Sequence, residues 1–192
     1  MTIQNVKKKK NSSYIVLELS GAEKPLMIRR ELYAELGEPS VGYELSPYEY
    51  SQIVLDDEYY RATVKALNIL SFGDNSKRKL YEKLRRTGFT RDICERVVSD
   101  MTSLGYIDEQ RQLLRLVESL ANVSLLGPHK ITQKLMGRGY SPGDIKSAVL
   151  ALTLTNEVDF EGNFVRLTER LFTADATDED IIKIKYKYGY QR

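Results

Sequence analysis

Two kinds of hydrophobic pattern divide the chain near Ser46. Before it, Tyr14 to Leu19 is rich in residues suited to a half-buried strand, and Ser20 to Pro25 is turn chemistry. Leu26 to Ile28 can then return as a partner strand. A short helix over residues 30–36 is predicted to stop at Gly37, with Pro39 beyond it, and residues 41–45 read as extended or as a third short strand. A hairpin alone is marginal in water, so residues 1–46 form a small strand-rich segment that leans on the helical part of the chain.

From Ser46 onward the apolar positions recur at three- and four-residue spacing. Ser46, Pro47 and Glu49 supply an N-cap, a first-turn proline and a capping-box partner. A second helix start is expected at Asp56 and Asp57, with Tyr60, Val64, Leu67 and Leu70 beyond it on one face. The spacing predicts helices over 57–71, 76–87 and 90–104, then 108–124, 128–138 and 142–154, and finally 163–172 and 178–187.

These helices repeat. The stretch from Ser76 to Phe89 aligns without gaps with Gly127 to Tyr140, 51 residues later. Lys79 matches Lys130, Lys83 matches Lys134, Leu84 matches Leu135 and Gly88 matches Gly139. A fainter third copy, Thr177 to Tyr190, keeps Ile181, Gly189 and Tyr190 but loses both lysines. Ser76, Gly127 and Thr177 stand where an N-cap is wanted, and each glycine suits the left-handed residue that ends a helix. The expected fold is mainly α: tandem three-helix repeats forming an elongated array behind a small N-terminal α+β segment. The boundaries read from the sequence are 1–46, 47–105 for the first repeat, 106–156 for the second and 157–192 for a partial third.

The net charge of +2 conceals an uneven distribution. Residues 76–91 carry seven cations against Glu82 alone, Lys7 to Lys10 add four more, and the remainder is acidic. A basic patch on an acidic body points to a polyanion or an acidic protein surface. On a helical wheel Leu80, Leu84 and Tyr81 face the core, Lys79, Lys83 and Arg86 form one flanking stripe, and Arg78 and Arg85 form a second beyond Glu82. Lys130 and Lys134 repeat the first stripe one unit later. These seven residues are the candidate contacts for a partner. The competing view is that their methylene stems merely cover the apolar stripe while the charges stay in water.

Catalytic chemistry finds no constellation in the sequence. Cys94 falls inside a helix beside Ile93 and Val97 and reads as a core thiol, and it cannot form an internal disulfide because it is the sole cysteine. His129 comes after Pro128 in a first helical turn and reads as an exposed or capping side chain. The acidic runs at residues 56–57 and 178–180 sit at expected helix starts, where the macrodipole favours carboxylates. No metal site, cofactor site or GxxxxGK[ST] phosphate loop is expected. No apolar run approaches the ~20 residues that span a bilayer, so a cytoplasmic protein without membrane association is expected.

With these residues set out, the helical part resembles the RecX family of bacterial recombination regulators. The resemblance is carried by Ala66, Leu67, Leu70 and Ser71, by Ser76, Leu80, Lys83, Leu84, Gly88 and Phe89, by Leu104 to Glu109, and by Gly127, Ile131, Lys134, Leu135, Gly139 and Tyr140. The chain departs from the family pattern at Gly73, Asn75, Glu109, Gln112 and Leu113. The resemblance implies a non-enzymatic, monomeric regulator that binds the RecA recombinase filament on single-stranded DNA, with weak DNA binding of its own. It implies inhibition of filament growth, ATP turnover, strand exchange and co-protease activity. The residues themselves leave a rival open: a helix-turn-helix DNA-binding protein acting without a recombinase.

Overall fold

A computed structural model describes residues 1–172 and 176–191. Three antiparallel strands, β1 (Ile3–Lys8), β2 (Tyr14–Leu19) and β3 (Leu26–Arg29), pair in the order β1-β2-β3. Nine α-helices are described after them: α1 (Arg30–Glu35), α2 (Pro47–Ser71), α3 (Lys77–Arg86), α4 (Arg91–Ser103), α5 (Glu109–Glu118), α6 (Pro128–Gly137), α7 (Pro142–Leu154), α8 (Phe160–Leu171) and α9 (Asp178–Tyr188). The expectation of a mainly helical, repetitive fold behind a small sheet holds. Among the described residues no helix is long and apolar enough to cross a membrane.

The chain folds into two compact units, residues 1–72 with 83–100, and residues 73–82 with 101–192. In the first, Ile15, Leu17 and Leu19 of β2 turn inward onto Ile3, Ile28, Leu32, Leu45 and Ile53. The inward positions of β2 alternate, as a strand with one buried face requires. The sequence pattern does not predict β1. Its Lys7 and Lys8 read as part of a solvated basic run, yet here they occupy a strand whose Asn5 and Lys7 side chains bond Glu18 across the ladder at 3.2 and 2.5 Å. Residues 41–45 contribute only an isolated bridge, Thr2 to Glu44.

The expected second helix start at Asp56 and Asp57 is corrected by the structure. α2 runs unbroken from its Ser46–Glu49 capping box to Ser71, and both aspartates lie buried in its middle. Their carboxylates accept the outward N–H groups of the edge strand β3, Met27 N to Asp57 at 2.9 Å and Arg29 N to Asp56 at 2.6 Å. The Arg29 side chain adds an ion pair to Asp56 at 2.6 Å, and Arg61 pairs with Asp57 at 2.7 Å. Burying a carboxylate is costly without partners, and each here has two kinds, a backbone donor and a guanidinium. The helix thereby closes a sheet edge that would otherwise present unpaired donors.

The second unit centres on Leu113, Val117, Ala121, Ile131, Leu135, Tyr140, Ile145 and Leu152, and buries a Tyr140 hydroxyl that donates to Gln112 at 2.8 Å. α5 passes into a π-helical turn, Ser119–Val123. Asn163 of α8, itself buried, donates to the Ala121 carbonyl of this turn at 3.1 Å. A smaller cluster joins Leu125, Leu167 and Ile184 with Tyr188 and Tyr190 at its margin.

Candidate functional site

The candidate contacts lie on α3 and α6, and the repeat explains how these helices are held. Leu80 and Leu84 of α3, like Ile131 and Leu135 of α6, are fully buried, so one face of each helix is fixed and the cations fall on its flanks. Gly88, Gly139 and Gly189 all adopt positive φ, at 97°, 90° and 83°. The helix-ending role predicted for them is met.

Two of those glycines also serve as joints. The Ser76 hydroxyl accepts from Lys79 N at 3.2 Å, capping α3, and donates to the Arg138 carbonyl at the C-terminal end of α6 at 2.8 Å. One repeat later Gly127 offers α6 no side-chain cap. There Gly127 N donates to the Tyr188 carbonyl at 2.8 Å and His129 N to the Gly189 carbonyl at 3.1 Å, so the C-terminal end of α9 satisfies the start of α6. The start of α9 is closed by its own capping box, Thr177 with Asp180. The starts of α3 and α6 thus each meet the end of the next repeat's middle helix. Partial negative charge on terminal carbonyls facing the positive end of a helix is a favourable alignment.

This register puts Lys79 and Lys130 at equivalent positions, but their surroundings differ. Lys79 Nζ lies 2.9 Å from Glu82, and Arg78 Nε reaches the same carboxylate at 3.0 Å. The hydrogen bond from Lys79, then that from Arg78, holds the Glu82 carboxyl below its ordinary range. Glu82 therefore does not separate the two expected stripes; it ties a residue of each together. The Arg85 guanidinium donates to the Phe89 carbonyl at the end of α3. Lys83 and Arg86 are exposed, and so is Lys134, whereas Lys130 is half-buried. Arg78, Lys79, Lys130 and Lys134 belong to the second unit, and Lys83, Arg85 and Arg86 to the first.

Cys94 is fully buried, and burial pushes its thiol above the ordinary range, which suits a core side chain rather than a nucleophile. Among the described residues no group of three or more metal-ligating side chains converges. The structure adds one feature that the sequence did not disclose. His129 and Lys130 line a cavity together with Gln133, Tyr186 and Gln191 at the α6–α9 joint.

Comparison with known proteins bears on the whole arrangement. Residues 62–101 match the domain described as RecX, first three-helix domain. Regulatory protein RecX of Clostridioides difficile is 33% identical over 118 residues, covering 62% of this chain and 55% of that protein. Regulatory protein RecX of Leuconostoc citreum is 28% identical over 107 residues, covering 56% and 40%. These matches span about half or less of the relatives' length. The crystal structure of a regulatory protein RecX shares the fold, with a TM-score of 0.71 over 98% of this chain and 92% of that one at 17% identity. The resemblance to the RecX family read from the residues is thus borne out, in sequence over the matched residues and in fold over nearly the whole chain.

Proposed function

We propose that this protein is a non-enzymatic regulator that binds the RecA recombinase filament on single-stranded DNA and restrains filament growth. ATP turnover, strand exchange and co-protease activity fall as a consequence. The reading draws support from the family and from relatives that bear the name regulatory protein RecX. One observation carries it to particular residues. The starts of α3 and α6 each meet the end of the next repeat's middle helix, so cations recur at matching positions of α3 and α6. Lys79, Lys83, Lys130 and Lys134 are the principal proposed contacts, with Arg78, Arg85 and Arg86 beside them. Cations spaced along helix flanks suit phosphates and acidic side chains, and offer little to read base edges.

The test adds purified protein to RecA on single-stranded DNA and tracks ATP hydrolysis and filament length. Inhibition at stoichiometric amounts is expected. A variant with Lys79, Lys83, Lys130 and Lys134 reversed to glutamate is expected to lose it. Full inhibition by that variant would exclude those lysines. Tight, sequence-selective duplex binding with no effect on RecA would favour a DNA-binding protein that works alone.

A further inference from the structure

The two joints occupy equivalent places in the repeat, and the second lacks a charge that the first has. At the first, Glu82 engages both Arg78 and Lys79. The position equivalent to Glu82 in the second repeat is Gln133, and the positions equivalent to Arg78 and Lys79 are His129 and Lys130. Among the described residues neither His129 nor Lys130 forms an ion pair. A cavity of about 550 Å³ opens there, lined by His129, Lys130 and Gln133 of α6, by Tyr186 of α9 and by Gln191 beyond that helix. No carboxylate lines it among the described residues. Three other cavities of the second unit each include at least one, Glu109 and Asp144 in the first, Glu157 and Asp159 in the second, Glu118 and Glu157 in the third.

We propose that this cavity is a nucleotide subsite for single-stranded nucleic acid, Lys130 and His129 taking a backbone phosphate while a base lies against the half-exposed Tyr186 ring. Its side-chain donors include one ammonium, one imidazole, two amides and the hydroxyls of Thr132 and Tyr186, a set that offers an anion charge and hydrogen bonds without a competing carboxylate among the described residues. Tyr186 stands where the first joint has Met136, so the aromatic face also belongs to the second joint alone. Stacking on an aromatic ring is indifferent to base identity, which fits a site that tracks a strand and does not read it. Gly189 keeps the cavity in register, because its backbone packs directly against Lys130. This inference sharpens the nucleic-acid part of the proposed function but needs no recombinase.

The experiment uses the full chain and fluorescently labelled oligo(dT), with no RecA present. Gln133→Glu supplies the carboxylate that the first joint has, at an exposed position that tolerates the change, and is expected to weaken binding by roughly fivefold. Tyr186→Ala is expected to cost about fivefold to a hundredfold. Lys130→Gln is expected to lower the slope of log affinity against log salt by about 0.7, a change that a merely structural residue does not produce. Parent-like binding by Gln133→Glu, with an unchanged melting temperature, overturns the subsite. So does displacement of the oligomer by inorganic phosphate at its own site as effectively as by unlabelled oligo(dT), which would mark an anion site and not a strand site. Loss of RecA inhibition alone, with oligo(dT) binding and its variant pattern intact, would sink the proposed function and leave this inference standing.

Discussion

The joint between α3 and α6 and the joint between α6 and α9 solve one problem with different materials. At the first, a serine hydroxyl stands between the two helices, accepting from one and donating to the other. At the second there is no side chain in the gap, and backbone donates directly to backbone. The hydroxyl can rotate or shift when its neighbour changes; two abutting main chains cannot. Equivalent positions in a repeat therefore need not tolerate equivalent substitutions.

Substitutions at the glycines should expose this difference. A methyl group on Gly127 would overlap the Gly189 carbonyl, although φ at 127 is an ordinary −76°. Gly127→Ala should destabilise the second unit by more than about 2 kcal/mol through overlap alone, read from denaturant unfolding. Gly189→Ala should cost at least as much, since overlap with Lys130 adds to its positive φ. At Gly139 the methyl comes within 2.7 Å of the Ser76 hydroxyl, which can move, so about 1–2 kcal/mol is expected. Gly88 faces open space and its alanine variant should cost about 1 kcal/mol, from φ strain only. An equal loss at all four would refute the contrast.

Ser76→Ala removes a cap and a link together and should cost about 1 kcal/mol, with the loss reported by hydrogen exchange at the Lys79 amide. A pH prediction concerns the second joint. The Tyr190 hydroxyl donates to Leu125 at 3.1 Å, and burial pushes its pKa to about 12 from the usual 10. The folded chain therefore keeps this proton where the unfolded chain has released it. The contribution is whole below pH 10 and declines as pH rises towards 12, so Tyr190→Phe should blunt the alkaline loss of stability measured by circular dichroism. The smallest effect is expected for Glu82→Gln, whose partly exposed ion pairs should leave the melting temperature nearly unchanged.

Much of this architecture is readable because it depends on local signals. Capping residues, apolar spacing and a glycine after each middle helix place α3, α6 and α9 within a residue or two. The repeat shows which lysines correspond. Contacts between distant segments are not readable. Asp56 and Asp57 look like a helix start because acidic pairs favour first turns, and their real partners are strand amides 27 and 30 residues earlier. β1 is obscured because only Ile3 of its side chains is fully buried, while its lysines resemble a solvated run. The cavity beside His129 needs residues 57 positions apart, His129 and Tyr186, and the lysine alignment gives no hint of it. The exchange of Glu82 for Gln133 is visible in the aligned repeats, but its meaning requires knowing that Glu82 holds two cations.

The carboxylate seal on β3 makes the first 46 residues a poor cassette for excision. Cutting after residue 46 would remove Asp56 and Asp57 along with α2 and strip the strand of the acceptors for Met27 and Arg29. The freed ribbon would then find those acceptors on neighbouring molecules, and insoluble cross-strand aggregates would be the outcome of a naive truncation.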